Sequence, residues 1–120
     1  MDDQITIYHN PRCSNSRAAL ALLQERGLVP RIVDYLKTPL DRAALQALVA
    51  ATGVPLRELL RSKEAAYAAL GLGDAACTEA QLLDAVVQYP ELLNRPIVVA
   101  PRGALLCRPP ERVLELLPPL

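Results

Sequence analysis

The stretch QITIYHNPRCSNSRAALALLQERG, residues 4–27, decides how this chain folds. Gln4 to Tyr8 alternates and is rich in β-branched residues, the pattern of a short strand with one buried face. His9-Asn10-Pro11-Arg12 follows as a loop, and a helix opens at Cys13-Ser14-Asn15-Ser16. Ser14 and Asn15 are the N-cap types expected there, and good helix formers continue from Ala18 until Gly27 stops the helix. Working outward, Pro30 to Leu36 (PRIVDYL) reads as a second strand. A strand, a helix and a strand of these lengths predict a β-α-β unit, because two parallel strands need such a crossover to lie side by side.

Beyond it the pattern turns helical. Thr38-Pro39-Leu40-Asp41 starts a helix whose Leu45, Leu48, Val49 and Thr52 recur at helical spacing, and Gly53 ends it. Val54 to Leu60 and Glu64 to Leu70 read as two short helices. Thr78-Glu79 opens another, with Leu82, Leu83, Val86 and Val87 on one face, ending near Pro90. Two apolar runs, Ile97 to Ala100 and Ala104 to Cys107, flank Pro101-Arg102-Gly103, which is hairpin chemistry. Pro109-Pro110 then begins a last helix over Glu111 to Leu117. The expected class is α/β: a thioredoxin-like βαβ…ββα core with a helical insertion at about 41–90, in a single domain spanning 1–120.

Composition narrows the function. A chain of 120 residues, 52% hydrophobic, can bury one core without disulfides or metal. Thirteen Lys and Arg against thirteen Asp and Glu leave no general pull toward nucleic acid or an acidic membrane. Phe and Trp are absent, so the stacking surfaces of a single-stranded nucleic-acid binder are missing too. Met1-Asp2-Asp3-Gln4 lacks the basic region and apolar run of a signal peptide, and no stretch approaches about 18 consecutive apolar residues. Three cysteines at irregular spacing make no disulfide framework, and with His9 they supply no ligand spacing for a metal. A cytoplasmic protein with no bound cofactor, no metal, no nucleic-acid partner and no membrane association is expected.

Cys13 carries the chemistry. At the start of a helix, unsatisfied N–H groups and the positive end of the dipole both favour an anion, and a thiolate there can have a pKa well below about 8.5. Pro11 stiffens the approach, Ser14 and Asn15 leave room beside the sulfur, and Arg12 and Arg17 add positive charge. A free Cys is most commonly a small buried hydrophobe; its place between a strand and a helix N-terminus argues instead for a reactive thiol. Ser16 stands where a dithiol oxidoreductase would have its second Cys, so Cys13 cannot form the local disulfide. Ser16 can donate a hydrogen bond to the thiolate or satisfy a first-turn backbone group. His9, the one histidine, can steady the thiolate, orient the loop or be plain loop surface.

These residues resemble a known family. Ile5-Thr6-Ile7-Tyr8-His9-Asn10-Pro11, Cys13 and Ser16-Arg17 look like the opening motif of the glutaredoxin-coupled arsenate reductases. The likeness continues through Leu59-Leu60-Arg61, Tyr67, Leu70-Gly71-Leu72, Asn94-Arg95-Pro96-Ile97-Val98-Val99 and Leu106-Cys107-Arg108-Pro109, over nearly the whole chain. The resemblance implies reduction of arsenate or a similar oxyanion. Cys13 would be the nucleophile, Arg61, Arg95 and Arg108 would hold the oxyanion, and His9 and Ser16 would keep the thiolate ionised. It further implies glutathione as co-substrate, glutaredoxin as protein partner, a monomer, and a cis-proline at Pro96. Arginine suits that task, since its fork binds such anions with two parallel hydrogen bonds and neutralises the repulsion between two reacting anions. Cys107 is expected to pack, and Cys77 to be incidental.

Two features depart from the pattern. Family members commonly have Gly directly after the cysteine, where this chain has Ser14-Asn15, and the Arg12-Cys13-Ser14 version resembles a sister branch. The chain also stops at Leu120, short of a tail found in longer members. Two other functions remain open at this level. One is a regulator of the same fold that binds RNA polymerase, although such regulators commonly carry a CxxC switch that Ser16 removes. The other is a glutathione-linked thiol transferase acting on mixed disulfides.

Overall fold

The computed structural model describes residues 5–117; Gln4, where the sequence starts the first strand, lies outside them. The described residues form two compact units: the chain up to Thr38 together with that from Arg95 onward, and Pro39–Asn94.

The first unit is built on four strands, β1 (Thr6–His9), β2 (Arg31–Asp34), β3 (Ile97–Ala100) and β4 (Gly103–Leu106), in the spatial order β2-β1-β3-β4. β1 runs parallel to β2 and antiparallel to β3, and β3 to β4 is an antiparallel hairpin. One row across the sheet reads Ile32, Ile7, Val98, Leu105. The row matters because side chains alternate along each strand, so Ile5 and Ile7 enter the core while Thr6 and Tyr8 are only half-buried. Ala19 and Leu23 of α1 (Ser14–Glu25) and Val113 and Leu116 of a closing 3₁₀ segment, Pro110–Leu116, complete that core with Val98, Ala100 and Cys107. The final segment is 3₁₀ where an α-helix is expected: Arg112 N–H donates to Pro109 C=O at 3.0 Å and Leu117 N–H to Leu114 C=O at 3.2 Å, both closing three residues back.

The second unit is helical. Asp41 caps α2 (Arg42–Thr52), accepting the Ala44 N–H at 2.7 Å, and Gly53 ends it at φ 72°, where a side chain would be strained. A 3₁₀ turn (Leu56–Leu59), α3 (Ala65–Ala69), α4 (Glu79–Gln88) and a 3₁₀ turn (Pro90–Leu92) follow. Thr78 and Gln81 form a reciprocal capping box at the start of α4. Arg57 donates to the carbonyls of Leu72, Asp74 and Cys77 at 3.0, 3.2 and 3.0 Å, drawing the loop before α4 together. An isolated antiparallel bridge pairs Leu60 with Leu93. Among the described residues no helix is long and apolar enough to cross a membrane.

Candidate active site

The end of β1 and the start of α1 bring Cys13 to a specific place. The Cys13 N–H donates to Asn10 C=O at 3.0 Å, which closes a turn over Pro11 and Arg12 and leaves Cys13 itself as the N-cap of α1, at φ −91° and ψ 123°. The expected cap residues, Ser14 and Asn15, are therefore the first two residues of the helix, because the Pro11 turn ends one residue earlier than composition suggests. No conventional side-chain cap bond forms; the sulfur occupies the position a cap oxygen would take.

Five influences set the ionisation of that sulfur. Burial alone would push the thiol up. The Ser16 N–H, a hydrogen bond from the Arg95 side chain, the Asn15 N–H and the Arg95 charge outweigh it, and the pKa lies below its ordinary value. Arg108 adds a further cation, with its Nη1 3.8 Å from Sγ across 95 positions of sequence. The same Nη1 donates to Arg95 C=O at 2.9 Å, so the second arginine is oriented by the backbone of the first. The Arg95–Pro96 and Arg108–Pro109 peptide bonds are both cis. Cys107 N–H donates to Pro96 C=O at 2.8 Å, extending the β3–β4 ladder to the residues beside both arginines.

Ser16 is fully buried, and of the two kinds of partner the sequence leaves open for its hydroxyl, the sulfur and a backbone group, the hydroxyl is bonded to a backbone N–H. Oγ lies 2.6 Å from His9 Nδ1 and accepts the Asn10 N–H at 3.1 Å. What Ser16 gives Cys13 is its backbone N–H. His9 is buried at the end of β1. Burial lowers its pKa, the Asp34 carboxylate raises it and Arg17 lowers it again, with a net shift downward, so the ring is neutral at pH 7. Its link to Cys13 runs through Ser16. Arg17 is pinned to the loop, Nη1 donating to Pro11 C=O at 2.9 Å.

The first unit thus gathers Cys13, His9, Ser16, Arg95 and Arg108 at the β1–α1 junction. Arg61 belongs to the second unit, where Nε pairs with Glu64 Oε1 at 3.1 Å and the backbone N–H donates to Leu92 C=O at 2.8 Å. Cys107 packs in the core and burial pushes its thiol up to about 12. Cys77 Sγ lies 3.4 Å from Gly71 C=O in the loop that Arg57 draws together. Asn10 was not singled out in the sequence, although an Asn directly before Pro is a turn-opening signal. Among the described residues no group of His, Cys, Asp and Glu could hold a metal ion. A thiolate with two guanidinium groups beside it can bind a tetrahedral or planar oxyanion and attack its centre.

Comparison with known proteins agrees with that chemistry. Residues 8–116 match the ArsC family. The chain is 50% identical over 114 residues to the arsenate reductase of Rhizobium meliloti (strain 1021), covering 95% of this chain and 81% of that protein. It is also 50% identical over 117 residues to the uncharacterized protein YfgD of Escherichia coli (strain K12), with 97% of this chain and 98% of that one covered. The solved arsenate reductase from Vibrio cholerae superposes with a TM-score of 0.90 at 42% identity, over 94% of this chain and 97% of that one. The fold is the thioredoxin-like one of those reductases. With its family match spanning the strand, the cysteine turn and the arginine segments together, this chain belongs to the ArsC family.

Proposed function

We propose that this protein is an arsenate reductase that works in the cytoplasm with glutathione and glutaredoxin, using Cys13 as its nucleophile. The observation that carries the reading is the sulfur itself: a helix-capping thiol with a lowered pKa, Arg95 hydrogen-bonded to it and Arg108 at 3.8 Å. Half-identity to named arsenate reductases over most of the chain supports the choice of oxyanion.

The reaction follows from those groups. Arsenate binds against Arg95 and Arg108, whose charge offsets the repulsion between the anion and the approaching thiolate. The Cys13 sulfur attacks arsenic, a sulfur–arsenic bond forms and one arsenate oxygen leaves as water after protonation; arsenic is still pentavalent. The glutathione thiolate then attacks the Cys13 sulfur. The sulfur–arsenic bond breaks with its electron pair going to arsenic, which departs as trivalent arsenite, and Cys13 is left in a mixed disulfide with glutathione. Glutaredoxin reduces that disulfide and restores the thiol. The two electrons come from two thiols, and the protein needs no resident cofactor.

The remaining assigned residues have supporting parts. Ser16 steadies the thiolate through its N–H, and His9 holds Ser16 in place through Oγ. Pro96 stands between Arg95 and the first residue of β3, Ile97. Arg61 is assigned to the anion by family resemblance, and an Arg61→Ala variant that reduces arsenate with an unchanged KM would remove it from the list. The direct test is a coupled assay with arsenate, glutathione and glutaredoxin. Arsenite should form with the intact protein and not with Cys13→Ser. Turnover of a glutathione mixed disulfide without any turnover of arsenate would overturn the substrate.

A further inference from the structure

Asn10 is 5% exposed, uncharged, and engaged through its backbone donor, backbone acceptor and side-chain oxygen alike. Its N–H donates to Ser16 Oγ at 3.1 Å, its C=O accepts the Cys13 N–H at 3.0 Å, and its Oδ1 accepts the Arg12 N–H at 3.0 Å. The last two bonds nest an Asx turn inside a four-residue turn with Pro11 at its second position, and each bond favours the same backbone path. The first ties that turn across to the opening turn of α1. With the Arg12 and Cys13 amides bonded back to Asn10, the Asn15 and Ser16 amides are the ones that act on the sulfur.

We propose that Asn10 is a positioning residue for Cys13: its three hydrogen bonds fix the turn that carries the sulfur to the N-terminus of α1 and lock that turn to Ser16. The inference rests on the reading of Cys13 as the nucleophile. The bonds of Asn10 go to Ser16 Oγ and to the Arg12 and Cys13 amides, and it acts by setting where the sulfur lies relative to the Asn15 and Ser16 amides. The charged and titratable groups around the site are Arg12, exposed in the turn itself, Arg95 and Arg108 beside β3 and β4, His9 on β1, and Arg17 on α1 and Asp34 on β2, these last two acting on His9. An Asn10 substitution changes none of these charges, so a shift in Cys13 ionisation reports the turn.

The test is the pH dependence of iodoacetamide labelling, with thermal unfolding measured in parallel. A Cys77→Ser background confines labelling of the folded protein to Cys13, because Cys107 is buried. Asn10→Ala should raise the labelling midpoint by about one pH unit, a roughly tenfold loss of thiolate at a fixed pH below the midpoint. Asn10→Ser, whose hydroxyl supports the same kind of turn more weakly, should fall between that variant and the parent. Asn10→Ala that melts earlier yet titrates at the parent midpoint would show a merely structural residue and overturn the inference. Should the alanine variant not fold, the serine variant decides by the same criterion. A parent Cys13 that titrates as an ordinary thiol would instead remove the nucleophile reading, and the inference with it.

Discussion

Cys13, at the N-cap of α1, and Cys107, directly after β4, lie in the same unit of the fold, and their thiols move in opposite directions. Burial pushes both up. At Cys107 burial dominates: the thiol belongs to the core cluster that holds Ile7, Val98 and Val113, Arg112 and a backbone bond from Val98 lower its pKa only in part, Glu115 raises it, and it reaches about 12. At Cys13 backbone amides and Arg95 outweigh burial, and the pKa falls. The arginine that follows Cys107 in sequence does not serve it; the Arg108 guanidinium reaches Cys13 instead. Donors aimed at the sulfur, rather than depth in the protein, separate a reactive cysteine from a packing one.

Removing each sulfur should split the two roles most sharply. Cys13→Ser should bring arsenate reduction down to the uncatalysed background, a loss of about 10³-fold or more, while Cys107→Ala retains turnover. An assay in which the Cys107 variant is the dead one would reverse the assignment. Next in size are the arginines. Arg95→Ala and Arg108→Ala should each cost roughly 10²–10³-fold in kcat/KM and raise the Cys13 labelling midpoint. Lysine at either position should restore charge without the fork and recover only part of the loss.

Alkali gives a smaller contrast, read in stability. Cys107 is protonated in the fold up to about pH 12, whereas the unfolded thiol releases its proton near the ordinary value of 9.0. Between those pH values the folded state binds the extra proton, so stability falls as pH rises, and Cys107→Ala should flatten that part of the denaturation profile. For Cys13 the sign differs. Its folded pKa is depressed, so its contribution is present above the unfolded pKa and is lost as pH falls through the folded one. The smallest effect is packing: Cys107→Ala should cost about 1–2 kcal/mol at neutral pH, by urea denaturation, for one atom lost from a filled core.

Much of this was legible in residues 4–27. Alternation marked the first strand and the Gly27 stop marked the helix end, so the β-α-β unit followed, with boundaries off by a residue or two. The cap was misplaced because Ser14 and Asn15 are good cap types, while the position of the cap depends on where the Pro11 turn closes. Over seven residues no apolar period separates a 3₁₀ segment from an α-helix, so Pro110–Leu116 could not be told from its pattern. Arg108 meeting Cys13 joins two ends of the chain, and local pattern carries no such information; only family likeness pointed there. The sequence leaves the Ser16 hydroxyl open to the thiolate or to a backbone group; His9 and the Asn10 N–H claim the oxygen, and the sulfur receives the Ser16 amide.

The most direct measurement is the rate of Cys13 alkylation against pH, with and without arsenate. A labelling midpoint below the ordinary thiol range, together with protection by arsenate, is the expected result. Labelling that rises only in the ordinary thiol range and ignores arsenate would contradict an ionised sulfur sharing its pocket with an oxyanion.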